Sequence, residues 1–480
     1  MNRREFIAGA AGFGLLGASR TLAGEQTPPR LVFGVISDTH LKDARSCAKF
    51  ARALRWFDAH AVDAVMCCGD LTDWGLSHQL KMVADTWRAV FPNDRRRDGA
   101  PVTRLFLYGD HDNGGYAHHH FGSFEAAQKM YGFSAAEVEA MAIRQSGAAR
   151  RWEEAFGEKY EPLFVRDVKG YRFVLANFTM DGGAANPRGD NTPGAEERLA
   201  SLALDPAKPF FYAQHRVFRG TMGGAEMTGL DDGRSTAMLA RHPNCVAFCG
   251  HAHRTLTDEK MVWQGAFTAV EAPSLAYVTQ ANGRENARVI DDARARQGVT
   301  PLLPTYPMSV PEQGLLVSVW DDRLVLKRID FRLDAPLGPA WALPLGPAAA
   351  QPYAFDRRAA ATSAPQFPVG ARATVVRCAA ENREREPIDQ WRVTFPAAVS
   401  TATAPRALDY EVRAFVGDAT TPTVTRLVYS DRCARPESEE TIPVACPFAV
   451  EEFPAGARVR FEVRARNAFG RCGAPLEVRT

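Results

Sequence analysis

Apolar runs of strand length alternate with amphipathic stretches through the first quarter of the 480-residue chain. Residues 31–36 read Leu-Val-Phe-Gly-Val-Ile and predict a first strand. Residues 44–58 carry Cys47, Phe50, Ala51, Leu54 and Phe57 at helical spacing. Val65-Met66-Cys67-Cys68 predicts a buried second strand, and a helical pattern occupies 78–90. Residues 102–108 supply a third strand. Strand, helix, strand, helix, strand at this rhythm predicts a parallel, right-handed α/β layer. Residues 113–165 break the rhythm with Gly114-Gly115, three consecutive histidines (His118, His119, His120) and helix-like segments, and read as an insertion rising over a crevice. Strands resume at 171–178, 209–214 and 245–249, with a loop rich in glycine and methionine at 220–233. Residues 314–332 alternate across Asp321-Asp322 as a β-hairpin does. Pro336-Leu337-Gly338-Pro339 closes this domain, and the Ala/Pro-rich stretch 346–352 is the expected linker.

The pattern then turns all-β. Runs at 390–395, 410–416, 423–429 and 458–466 are separated by turn residues, and the last places Val459, Phe461, Val463 and Ala465 on one face. The stretch Phe461-Glu462-Val463-Arg464-Ala465-Arg466-Asn467-Ala468-Phe469-Gly470 resembles the late strand and turn of a fibronectin type III sandwich. The expected organisation is therefore an α/β domain over 24–345 and a β-sandwich over 353–480.

Composition changes this picture little: 46% apolar and 24% charged residues are those of a globular protein, and no run of eighteen apolar residues predicts a membrane span. The N-terminus changes it more. Asn2-Arg3-Arg4-Glu5-Phe6-Ile7 resembles the twin-arginine export motif, and a Gly/Ala-rich apolar run leads to Thr21-Leu22-Ala23 as a cleavage site. Residues 1–23 are thus expected to be a signal that exports the folded protein to the periplasm or medium. Their removal takes away Arg3, Arg4, Arg20 and Glu5, so the formal charge of +2 falls to about zero. Balanced charge carries no electrostatic footprint for nucleic acid or an anionic membrane. Nine cysteines in an exported chain invite disulfides, Cys433 with Cys446 first, while Cys68 and Cys249 read as buried thiols.

The chemistry collects at the strand ends. Asp38-Thr39-His40, Gly69-Asp70-Leu71-Thr72-Asp73, Gly109-Asp110-His111-Asp112, His215 and Gly250-His251-Ala252-His253 each put Asp or His just past an apolar run. In an open α/β sheet that edge is where ligands bind. Carboxylates gathered there would repel, and two divalent cations would remove the difficulty. Mixed imidazole and carboxylate donors suit Zn, Mn or Fe rather than Ca. This order of motifs resembles the calcineurin-like metallophosphoesterases over about residues 31–332.

The resemblance implies a four-layer α/β/β/α sandwich and two divalent or mixed-valence metal ions. It places Asp38, His40, Asp70 and His253 on the first ion, and Asp70, Asp110, His215 and His251 on the second, with Asp70 bridging. It implies water or hydroxide activated between the ions, with His111 stabilising the transition state or protonating the leaving oxygen and Asp73 orienting His111. One position departs: the family has asparagine where this chain has Asp110. Arg216 could reach a substrate phosphate, and Tyr116 and Trp74 could stack on a substrate ring.

The expected function is hydrolysis of a small-molecule phosphate mono- or diester. A nucleotide phosphodiesterase is the alternative enzyme. A phosphate-binding protein without turnover is the alternative of another class, and Asp110 is its support. The C-terminal sandwich is expected to contact a cell-surface partner or the chain itself.

Overall fold

The computed structural model describes residues 27–112, 134, 145–178, 194–290, 292–345, 351–400, 406–436 and 443–479. The expected signal (1–23), Tyr116, His118, His119, His120 and most of the expected linker lie outside the described residues.

The first sheet joins β1 (Leu31–Ile36), β2 (Ala64–Cys68), β3 (Thr103–Leu107), β10 (Gln313–Val319), β11 (Arg323–Asp330), β12 (Ala335–Pro336) and β13 (Trp341–Pro344). Its order is β12-β11-β10-β1-β2-β3, with β13 also on β11. The first three strands are parallel, and β10 enters antiparallel, Leu31 opposite Val319. The second sheet joins β4 (Leu163–Val168), β5 (Tyr171–Ala176), β6 (Phe210–Ala213), β7 (Cys245–Cys249), β8 (Val262–Gln264) and β9 (Thr268–Glu271). Its order is β4-β5-β6-β7-β9-β8, and β5, β6, β7 and β9 run parallel.

The sheets face each other across an aromatic core. Phe33 of β1 meets Phe173, Phe211 and Phe248 of the other sheet, with ring centroids 5.3, 4.9 and 6.0 Å apart. Helix α1 (Ala44–Ala59) starts where the Asp43 carboxylate accepts from the Ser46 amide, and buries Phe50, Ala53, Leu54 and Phe57. With α2 (Ser77–Val90) it covers the first sheet, and Phe50 and Trp87 both contact Phe106. Within the insertion, α3 (Gln145–Phe156) sets Trp152 against Tyr108 at 5.1 Å. On the other sheet, α4 (Ala195–Ser201) and α5 (Arg234–Leu239) bury Leu199, Met238 and Leu239 in the same core.

The C-terminal part is all-β. Strands β14 (Thr374–Glu381), β15 (Pro387–Phe395), β16 (Asp409–Val416), β17 (Val424–Val428), β18 (Val444–Ala449), β19 (Val459–Arg466) and β20 (Leu476–Arg479) form two antiparallel sheets, ordered β14-β15-β18 and β17-β16-β19-β20. Val459, Phe461, Val463 and Ala465 all face the core.

This sandwich docks on the segment between β9 and β10. Arg284 lies buried between Asp409 of β16 and Glu226 of the 220–233 loop, with contacts of 2.7 and 2.8 Å. Asn286 and Tyr429 exchange two hydrogen bonds of 3.0 Å, and Val278, Tyr306, Leu408 and Tyr429 share one apolar cluster. The expected Cys433–Cys446 disulfide does not form, and none of the nine cysteines is in a disulfide. Cys446 packs in the sandwich core while Cys433 belongs to the docking cluster, so the two thiols serve different apolar interiors.

Candidate metal centre

Parallel strands end level with one another, so their turns meet at one edge. The β1–β2 pairing continues past the sheet: the amides of Asp38, His40 and Leu41 donate to the carbonyls of Gly69, Asp70 and Leu71 at 2.9–3.0 Å. Five residues in these turns, Asp38, His40, Asp70, His251 and His253, have φ between 43° and 68°. Left-handed backbone costs a side-chain-bearing residue on the order of 1 kcal/mol, and such strain persists where neighbouring contacts dictate it. Gly109 is required by proximity, since a Cβ there would lie 2.1 Å from Asp70 Oδ1.

The turns gather two ligand sets. Asp38, His40, Asp70 and His253 form one, and Asp70, Asp110, His215 and His251 the other; within each, the potential ligand atoms lie within 4.8 Å of one another. His253 Nε2 is 3.0 Å from Asp38 Oδ1, and His40 Nε2 is 3.6 Å from Asp70 Oδ2. In the second set, His215 Nε2 lies 3.2 Å from Asp70 Oδ1 and 3.0 Å from Asp110 Oδ1, while His251 Nδ1 is 3.3 Å from Asp110 Oδ1.

The ring orientations test whether cations fit. His215 Nδ1 donates to the Cys68 carbonyl at 2.8 Å, and His253 Nδ1 donates to that of Tyr277 at 3.0 Å. Each ring, when neutral, therefore turns a lone pair on Nε2 inward. His40 Nε2 and His253 Nε2 then face each other at 3.3 Å, as do His251 Nδ1 and His215 Nε2 at 3.2 Å. A lone pair on His253 or His215 beside buried carboxylates is a donor for a cation, and His40 and His251 each bring a second ring nitrogen close to it. The donor set fits divalent transition ions.

The charges agree. Burial pushes the Asp38 carboxyl up, but His253, His215 and His40 together hold it below the ordinary carboxylate range. Asp110 is likewise opposed by burial and held well below by His251 and His215. Burial pulls His215 down, yet Asp70, Asp110 and Asp38 raise it well above an ordinary imidazole. Burial lowers His40.

His111 and Asp73 sit beside both sets. His111 Nδ1 donates to the main-chain carbonyl of Asp73 at 2.6 Å, and Nε2 is 3.8 Å from Asp70 Oδ2. Asp73, expected to orient His111, meets it through this main-chain carbonyl, while its carboxylate lies 3.3 Å from His40 Nδ1 and 2.9 Å from Lys42 Nζ. The turn after β2 brings the Asp73 carbonyl, rather than its side chain, to the imidazole. Trp74 has its ring 6.4 Å from that of His111.

Two residues near the centre had no role in the motif reading. The Asp112 carboxylate accepts from the amides of Leu71, Thr72 and Gly109 and from Thr72 Oγ1, at 2.7–3.0 Å. It clamps the turns after β2 and β3 together. Burial and Asp70 push it up to about 7, against four donors that favour its charged form. Its signal was the last letter of Gly-Asp-His-Asp. Tyr277, whose ring lies 4.1 Å from His253, follows β9 in a segment without any motif.

A two-sheet α/β protein with a shared-carboxylate ligand cluster at its strand ends is the class these observations define. Residues 31–255 match the family model of the calcineurin-like phosphoesterases. Among solved structures, a dimetal phosphatase from Danio rerio is 13% identical, covering 66% of this chain and 100% of its own, with a TM-score of 0.36. A purple acid phosphatase from yellow lupin (Lupinus luteus) seeds is also 13% identical, over 65% of this chain and 53% of its own, with a TM-score of 0.35. An inner-membrane-complex anchor from Plasmodium is 9% identical over 66% of this chain and 89% of its own, with a TM-score of 0.38. Comparison with curated proteins finds no match.

Proposed function

We propose that the protein is a metal-dependent phosphoric ester hydrolase acting on a small-molecule phosphate mono- or diester outside the cytoplasm. Asp70 is the observation that supports this most: one oxygen faces His215, the other faces His40 and His111. Asp38, His40, Asp70 and His253 would hold one ion and Asp70, Asp110, His215 and His251 the other. Such ions (Mn, Fe or Zn), when bound, supply Lewis-acid activation of water and neutralise phosphoryl charge.

The chain's own contribution is positioning and a proton. His111 is tied by Nδ1, leaving Nε2 on the site side. Burial would lower it, but Asp70 and Asp110 outweigh burial and raise it, which favours a ring that donates to a phosphoryl or leaving oxygen. Release of nitrophenol from p-nitrophenyl phosphate and its bis-ester, with Mn or Zn added, tests the reading. Turnover is expected in the parent, with kcat reduced about 10²–10⁴-fold in His111→Ala at unchanged metal content. A parent that binds phosphate but turns over neither ester supports the binding-protein reading, which Asp110 favours. Cyclic nucleotides in the same assay address the phosphodiesterase alternative.

Export by the twin-arginine route rests on the Arg3-Arg4 motif and the apolar run behind it. A reporter fused to residues 1–23 and active only after export would be silenced by Arg3→Lys with Arg4→Lys. The strand order β14-β15-β18 against β17-β16-β19-β20 supports the fibronectin type III-like reading of the sandwich. Its contacts within the chain support an intramolecular partner.

A further inference from the structure

We infer that Arg216 is a charge-compensating and specificity-determining residue, matched to Asp110 so that the centre holds cations tightly and still accepts a phosphate anion. The inference rests on the phosphoesterase reading and deepens it.

The two oxygens of Asp110 have different neighbours. Oδ1 lies 3.0 Å from His215 Nε2 and 3.3 Å from His251 Nδ1, among the ligand atoms. Oδ2 lies 3.9 Å from Arg216 Nη2. The guanidinium is held over the Phe178 ring, 5.7 Å from its centroid, and its side chain is 19% exposed, so it borders the crevice instead of being sealed beneath it. Arg216 follows His215 directly, and the turn that delivers one ligand delivers the counter-charge as well.

The charge count gives the pair its purpose. Asp38, Asp70 and Asp110 place three carboxylates in the two ligand sets. A third carboxylate strengthens the hold on cations and, in the same measure, repels a phosphate. A fixed guanidinium at the rim returns one positive charge where the anion would arrive, and its planar fork suits phosphoryl oxygens. An amide at position 110 would bring two N–H donors toward Arg216 where the chain has a carboxylate oxygen. Asp110 and Arg216 therefore work as a pair.

Calorimetry on the full chain tests this with two probes: Mn²⁺ alone, then inorganic phosphate on the Mn-loaded protein. Arg216→Gln is expected to tighten Mn²⁺ and weaken phosphate, each by about tenfold, because one positive charge has gone. Asp110→Asn is expected to do the reverse, weakening Mn²⁺ and tightening phosphate. The double variant should return both affinities to within about threefold of the parent, and Arg216→Lys should keep the parent's direction of effect. General damage to the fold would weaken both probes together and could not produce opposite signs. The inference is overturned if Arg216→Gln moves neither affinity, or both in the same direction, or if the double variant is no nearer the parent than the singles. Failure of the phosphoesterase reading looks different. A parent inert on aryl phosphates whose variants show the opposed pattern keeps the pair and loses the reaction. An active parent without the pattern does the converse. A parent that binds no Mn²⁺ overturns both.

Discussion

Asp112 shows how much one side chain can hold when four donors converge on it. Replacing it by alanine leaves three buried amides and a hydroxyl without their acceptor and unties two ligand-bearing turns. Asp112→Ala is expected to lower unfolding free energy by about 3 kcal/mol and to weaken cation binding, measured by denaturant titration with and without Mn²⁺. A loss of stability without loss of cation affinity would separate the clamp from the centre. Asp38, His40, Asp70, Asp110, His215, His251 and His253 were legible as a group because each stands just past an apolar run. Asp112 stood in the same motif but gave no hint of its direction, since a carboxylate turned inward reads like one turned toward a ligand. The route from Asp73 to His111 was hidden for a similar reason: a main-chain carbonyl carries no residue identity.

At the scale of elements, the centre depends on how closely its turns approach. A Cβ at position 109 would press on Asp70 Oδ1 and, 2.4 Å away, on the Asp70 amide. Gly109→Ala is therefore expected to displace the shared carboxylate and cut cation affinity more than tenfold, while costing only about 1–3 kcal/mol of global stability. Titration with Mn²⁺ beside thermal unfolding checks both halves. The central strands β1, β2 and β7 were read from sequence almost to their ends, because burial on both faces leaves near-continuous apolar runs. Edge strands were harder. Strand β14 carries Arg377 and Glu381 among its apolar positions, and β18 contains Pro447, so neither shows a clean run or alternation. The short β9 (Thr268–Glu271) takes its place from its neighbour β7.

Across the whole molecule, the segment between β9 and β10 ties the sandwich to the centre. The amides of Leu275 and Ala276 donate to Ser37 and Asp38, and the Tyr277 carbonyl holds His253. A few residues on, Arg284 is fixed by Asp409 of the sandwich and by Glu226. None of this was legible, because Arg284 pairs with residues far away in sequence and the segment has no periodicity. The Glu226 carboxyl gives a pH test of the link. Burial pushes it up, but Lys260 and Arg284 bring it down to about 2, below its ordinary 4.5. A depressed carboxyl contributes stability that is complete above its unfolded value and is lost as pH falls from about 4.5 toward 2. The docking of the sandwich is thus expected to loosen over that window, seen as faster proteolysis between residues 282 and 311. Glu226→Gln should start from a weaker link and show less of this acid dependence. An unchanged profile would remove Glu226 from the coupling.

The central claim is that one carboxylate serves two cations, and metal stoichiometry measures it most directly. The full chain, saturated with Mn²⁺ or Zn²⁺ and freed of excess, is expected to carry two ions, and Asp70→Ala to lose both together with hydrolysis of p-nitrophenyl phosphate. One ion or none in the parent, or two retained by Asp70→Ala, would contradict the account.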